Sequence, residues 1–152
     1  MEIKILGTGC SKCKTLEKLT REVIEKGKEV PSCKYYITVV VFIENTKGEF
    51  LLQQRVFKKD GLWATTGGHP KSGESSLQGI VTEIQEEIGQ NVRENELTLF
   101  KTIMTDDDFV DLYYIKEEIN INNIVIQEDE VSDVMWASRE EIEDLIKKDK
   151  FS

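Results

Sequence analysis

Gly68-His69-Pro70-Lys71-Ser72-Gly73-Glu74, and eight residues later Thr82-Glu83-Ile84-Gln85-Glu86-Glu87-Ile88-Gly89, is the stretch whose reading decides the fold. It places a turn ahead of a helix. Glu83, Glu86 and Glu87 fall at i, i+3 and i+4, so their side chains are neighbours on one stripe spanning roughly 100° of the helix circumference. Leu77, Ile80, Val81, Ile84 and Ile88 gather on a second stripe about 120° away. One face is therefore expected to be apolar and buried, and another to present a wall of carboxylates. Like charges at that spacing repel, and clustered carboxylates are the donors that Mg²⁺ or Mn²⁺ prefers.

The same stretch resembles the Nudix box, G-x5-E-x7-R-E-U-x-E-E-x-G-U, where U is a bulky aliphatic residue. Gly68, Glu74, Glu83, Ile84, Glu86, Glu87 and Gly89 match at the correct spacing. Two positions depart: Thr82 stands where the family has arginine, and Gln90 where it has an aliphatic residue. A solvated acidic helix face would account for the glutamates, but not for the glycines and Glu74 at the same offsets.

The resemblance covers about Lys34 to Lys148 and implies an α+β fold, an α/β/α sandwich around a mixed sheet. It implies metal-dependent hydrolysis of a diphosphate linkage in a nucleoside diphosphate derivative or related phosphorylated metabolite, with Mg²⁺ or Mn²⁺ as cofactor. Carried across by position, Glu83, Glu86 and Glu87 are the metal-binding and catalytic carboxylates, and the Gly67 carbonyl is a further ligand. Glu74 is placed near the metals or orienting the loop. Arg55, Glu74 and His69 are the candidates on the substrate side, and Glu86, Glu128 and Glu130 are candidates for the general base. Threonine cannot form the charged bidentate bond of arginine, so Thr82 supports an alternative reading, a catalytically weak or inactive binding module of the same fold. Phe50 to Arg55 and Leu62 to Pro70 look like the branch that includes hydrolases resembling isopentenyl-diphosphate isomerase. The isomerase chemistry itself needs a cysteine ahead of the His-Pro pair and metal-binding histidines. Here Thr66-Gly67-Gly68 occupies that stretch, and the chain has a single histidine.

Composition agrees with a soluble enzyme. Charged residues make up 32% of the 152-residue chain and the hydrophobic class 39%, and the formal net charge of −9 argues against a nucleic-acid polymer as partner. No apolar run approaches membrane-spanning length, the opening Met1-Glu2-Ile3-Lys4-Ile5 is not a secretory signal, and three cysteines fit a reducing compartment. The expected setting is cytoplasmic, with a small-molecule diphosphate as substrate and a homodimer compatible with the reading.

Residues 1–30 read as a separate, more basic segment ahead of the stretch at 31–152 that resembles a Nudix domain. Glu2 to Leu6 reads as a strand and Thr15 to Lys26 as a helix with Leu16, Leu19, Val23 and Ile24 on one side. Between them, Cys10-Ser11-Lys12-Cys13 makes a C-x-x-C. The unit resembles the start of a thioredoxin-like protein, incomplete because no further strands or cis-proline loop follow. Downstream, strands are expected at Tyr36–Glu44, Glu49–Arg55, Leu97–Met104, Phe109–Lys116 and Val134–Ala137. Helices are expected at Ser75–Ile88 and from a capping box at Ser138 and Glu141 to about Lys147. Trp63 and Trp136 are assigned to the core, and Asp106, Asp107 and Asp108 to a solvated turn.

Overall fold

The structure, a computed structural model, describes residues 36–58, 60–105 and 108–152. The strand and helix expected near the N-terminus, Cys10, Cys13, Cys33, Asp106 and Asp107 lie outside these residues.

Seven strands form one mixed sheet: β1 (Tyr36–Glu44), β2 (Phe50–Arg55), β3 (Trp63–Ala64), β4 (Thr66–Gly68), β5 (Thr98–Met104), β6 (Asp108–Lys116) and β7 (Val131–Ala137). Among the described residues the α-helices are α1 (Ser76–Ile88) and α2 (Arg139–Lys147). β1 lies at the centre. On one side it runs parallel to β6 over nine residue pairs, from Tyr36 opposite Asp108 to Glu44 opposite Lys116. On the other it meets β2 at Glu44 and Phe50, then β4, where Val39, Val40 and Val41 stand opposite Gly68, Gly67 and Thr66. β7 closes on β2, and β5 is the outer strand beyond β6.

Strand alternation sorts the apolar run of β1 into two faces. Val39, Val41 and Ile43 are buried and pack with Tyr113 and Ile115 of β6 and with Ile80, Ile84 and Ile88 of α1. These three isoleucines are the stripe expected from the sequence, and each is fully buried. Removing any one to alanine is expected to cost about 2–5 kcal/mol. Val134 and Trp136 of β7 pack against the same cluster.

The ends of α1 are fixed by local chemistry. Ser75 is the N-cap, and its hydroxyl accepts the Gln78 N–H while the Gln78 side chain accepts the Ser75 N–H. Gly89 ends the helix in the left-handed region at φ 65°, a backbone conformation that glycine adopts without penalty. Ser76 donates to Asp111 Oδ2 at 2.6 Å, and Thr102 donates to Asp111 Oδ1 at 2.6 Å, so one carboxylate ties the helix start to β6 and β5.

The opposite face is covered unevenly. α2, capped by Ser138 and Glu141 as expected, packs on β7. Towards β5, Val40, Phe42, Val110 and Leu112 are only half-buried, and Phe100 and Ile103 are 54% and 39% exposed. The Phe42 ring meets Phe50 and Phe100 edge-on at centroid distances of 6.3 and 5.9 Å.

Two expectations shift. β7 begins at Val131, three residues earlier than its apolar core suggests, because its first residues pair with the end of β2 across a bulge. Asp108, assigned to a solvated turn, instead opens β6, and its Oδ2 accepts the Thr38 hydroxyl at 2.9 Å. Among the described residues no helix is long and apolar enough to cross a membrane.

Candidate active site

The acidic stripe of α1 faces the β4 backbone and the loop that follows. The approach requires glycine at position 67, where a Cβ would stand 2.3 Å from the Val39 carbonyl oxygen, whereas a Cβ on Gly68 would stand 2.5–2.7 Å from the Glu83 carboxylate and would push that side chain aside. The glycine pair thus serves two contacts, β4 against β1 and β4 against the helix.

Glu87 is buried, and its Oε2 accepts from Gln53 Nε2 at 2.8 Å and from the Gly67 N–H at 3.2 Å. Thr66 in turn donates to Gln53 Oε1 at 3.0 Å, so the amide of Gln53 is oriented by one partner to present its NH₂ to the other. Burial pushes the Glu87 carboxyl up to about 7, opposed by its two hydrogen bonds and reinforced by the charges of Glu83 and Glu130. Glu83 is also raised, first by burial, then by the charges of Glu86 and Glu130, with Lys71 and His69 pulling the other way.

Glu86 is paired with the Lys71 ammonium. Helical spacing alone leaves Glu86 without a cation; the loop ahead of the helix brings one. Lys71 is raised, chiefly by that hydrogen bond, with further attraction from Glu74 and Glu83. Glu74 holds the same loop: it accepts the Lys71 N–H at 2.7 Å and the Thr82 hydroxyl at 2.9 Å. Thr82 thus reaches a box glutamate with a single hydrogen bond from an uncharged hydroxyl in place of a guanidinium.

The structure therefore brings Gly67, Glu83, Glu86 and Glu87 together, with Glu74 bracing the loop beside them. His69 is exposed at the edge of this group. Its Nδ1 is 3.3 Å from the Ile37 carbonyl oxygen and 3.4 Å from the Thr38 hydroxyl. Arg55 is paired with Asp60 at 3.1 Å in the loop after β2, and its guanidinium is committed there. Of the loop acids, Glu130 acts electrostatically on Glu83 and Glu87. Its loop is laid against the helix by the Gln127 N–H, which donates to the Glu87 carbonyl at 3.1 Å. Sequence reasoning missed Gln53 and Lys71. Gln53 lies 34 positions before Glu87, and its one sequence signal is a polar residue in a strand that is otherwise buried at that point.

Clustered carboxylates are donors that a hard divalent cation takes, and burial and neighbouring negative charge hold Glu83 and Glu87 above the ordinary carboxylate range, which a cation would relieve. As the side chains stand, among the described residues no three His, Cys, Asp or Glu are already grouped around one point as ligands. Glu86 would exchange Lys71 for the ion.

A helix buried on one face against a mixed sheet, with its carboxylates close to a Gly-Gly backbone, belongs to the class of α/β/α proteins. Residues 34–152 match the NUDIX domain family model, and the chain belongs to that family. Residues 1–40 match a thioredoxin domain model. An uncharacterised Nudix hydrolase of Listeria innocua is 28% identical over 131 residues, covering 84% of this chain and 78% of that one. An isopentenyl-diphosphate Delta-isomerase of Serratia proteamaculans is 39% identical over 64 residues, 40% of this chain and 36% of that one. Among solved structures, one from Deinococcus radiodurans superposes with a TM-score of 0.66 at 16% identity, covering 80% of each chain. A MutT from a study of the Aliivibrio salmonicida and Vibrio cholerae proteins superposes with a TM-score of 0.60 at 27% identity, covering 75% of this chain and 86% of that one. Family membership supports hydrolysis of a pyrophosphate linkage as the general chemistry.

Proposed function

We propose that the chain hydrolyses a diphosphate linkage in a nucleoside diphosphate derivative or related phosphorylated metabolite, with Glu83, Glu86, Glu87 and the Gly67 carbonyl holding Mg²⁺ or Mn²⁺. The observation that carries this is Glu87, a buried carboxylate hydrogen-bonded to the Gly67 backbone beside Glu83 and Glu86. When bound, the ion supplies Lewis-acid polarisation of the diphosphate and offsets the charge that develops on its oxygens. Gln53 and Thr66 fix the direction of Glu87. Glu86, half-exposed, is the group best placed to take a proton from an attacking water, with Glu130 the second candidate. Glu74 and Thr82 keep the 68–74 loop on the helix. His69 faces solvent on the substrate side, while Arg55 would have to leave Asp60 to meet a phosphate.

The test is a screen over nucleoside triphosphates, nucleotide sugars, dinucleotides and isoprenoid diphosphates with Mg²⁺ and Mn²⁺, with the phosphomonoester or pyrophosphate products converted to phosphate by a coupled phosphatase or pyrophosphatase. A metal-dependent hit lost in Glu83→Gln is expected; turnover untouched by that change or by chelation would refute the reading. The similarity to isomerases does not extend to their chemistry, since no thiol stands at Thr66 to Gly68 and His69 is the chain's one histidine. A second reading, a binding module with little turnover, is favoured by the Lys71–Glu86 pair and by the single Thr82–Glu74 hydrogen bond, whose donor is uncharged. Calorimetric binding of a diphosphate with no cleavage of its P–O–P linkage would select it.

A further inference from the structure

We infer that the β5 side of the sheet is the docking surface for the chain's own N-terminal segment, with the stripe Leu16, Leu19, Val23 and Ile24 lying over Val40, Phe42, Phe100, Ile103, Val110 and Leu112. The register assigns the patch to one face. Val40 stands beside Leu112, Thr38 beside Val110, and Val110 beside Ile103, and the Phe42 ring meets Phe100. That is the face opposite the α1 core, and α2 lies at the other end of it, on β7. Apolar groups in such a continuous, half-covered patch mark an interaction surface.

Three observations select the occupant. The first is attachment. Residues 1–35 lead directly into Tyr36, which is paired with Asp108, one strand from the patch residue Val110 and two strands from Ile103. With neighbouring strands about 4.8 Å apart, the segment is tethered within roughly 10 Å of β5. The second is size. The helix read at Thr15 to Lys26 would be about 18 Å long and about 10 Å wide. The patch runs about 13 Å along β1 from Thr38 to Phe42 and about 10 Å across to β5. The residues between Ile24 and Tyr36 can span up to about 40 Å, more than the return requires. The third is charge. Residues 1–35 carry eight Lys and Arg against five Asp and Glu, and residues 36–152 carry twelve against twenty-four, so a basic segment is tethered to an acidic domain. An apolar stripe on a single helix needs a partner surface, and among the described residues this sheet offers, on its β5 side, a face that no helix covers.

The test uses the full chain. In the parent protein a short amine cross-linker should join Lys101, which stands opposite Leu112 on this face, to Lys18 or Lys26 within one molecule. Hydrogen exchange is then compared with the double variant Leu19→Asp, Val23→Asp. Amides of 98–104 are expected to exchange at least about tenfold faster in the variant, while those of α1 keep their protection. Unchanged β5 exchange, or Lys101 cross-links that join two molecules together with protection that falls on dilution, would overturn the inference; the latter would assign the face to a second copy. If the variant loses protection throughout, the parent cross-link decides: its absence, with other lysine pairs joined, refutes the docking.

Discussion

Glu87→Gln separates what the buried carboxylate does for chemistry from what it does to stability. The carboxyl is pushed from 4.5 to about 7, mainly by burial. An acid raised on folding favours the folded state fully below its unfolded value and loses that contribution as pH rises through its folded value. Ionised Glu87 therefore burdens the metal-free fold at alkaline pH. At about 1.4 kcal/mol per unit, the burden is about 3 kcal/mol at pH ~8 and about 1 kcal/mol at pH ~5.5. The variant's amide oxygen can still accept from Gln53 and Gly67, so the hydrogen bonds survive while the charge is gone. Urea denaturation in chelator should show the variant more stable than the parent, with a gap that widens from pH ~5.5 to pH ~8. The same variant should bind Mn²⁺ far more weakly in calorimetry and lose turnover. A variant less stable than the parent at pH ~8, or a gap that does not change with pH, would show that the carboxylate is not desolvated as described.

Thr82→Val keeps the shape of the side chain but removes the bond to Glu74, and should lower kcat/KM by about 5–10-fold, from roughly 1 kcal/mol of lost positioning, in steady-state assays on a confirmed substrate. Gly79→Ala places a Cβ 2.6–2.9 Å from Pro70, including its Cα, so it should displace the 68–74 loop. Its Mn²⁺ affinity should fall by at least about tenfold with the helix signal in circular dichroism retained. Replacing both Cys10 and Cys13 by serine should leave hydrolysis unchanged with or without reductant, measured by direct separation of the phosphomonoester products; a rate that follows the thiol–disulfide state would make the segment a redox switch.

Much of this architecture is legible in the chain because its signals are local. The 3.6-residue spacing of Ile80, Ile84 and Ile88, the Ser75 and Ser138 caps and Gly89 set helix ends and faces without help from distant residues. Strand β1 has the bounds expected from its apolar run. What escapes a reading by spacing is contact across the fold. Gln53 of β2 reaches Glu87 of α1 by a contact between elements 34 positions apart. Lys71 reaches Glu86 because the loop doubles back. The half-bare β5 face also escapes such a reading, since it depends on where α2 settles. The C-x-x-C pair lies outside the described residues.

The parallel ladder between β1 and β6 has a consequence for how the chain comes to be folded. Each of its nine pairs joins positions about seventy residues apart, so the central strand gains its longest partner only after most of the domain has been synthesised. Contacts that distant in sequence carry a large loop-closure penalty before they repay it, which places the folding rate in the slow range for a domain of this size. Until 108–116 emerges, Val39, Val41 and Ile43 sit on a strand with one edge unpaired. That interval is when this chain is most exposed to aggregation, and chaperone engagement of ribosome-bound chains should peak before residue 116 and fall once β6 is clear of the exit tunnel.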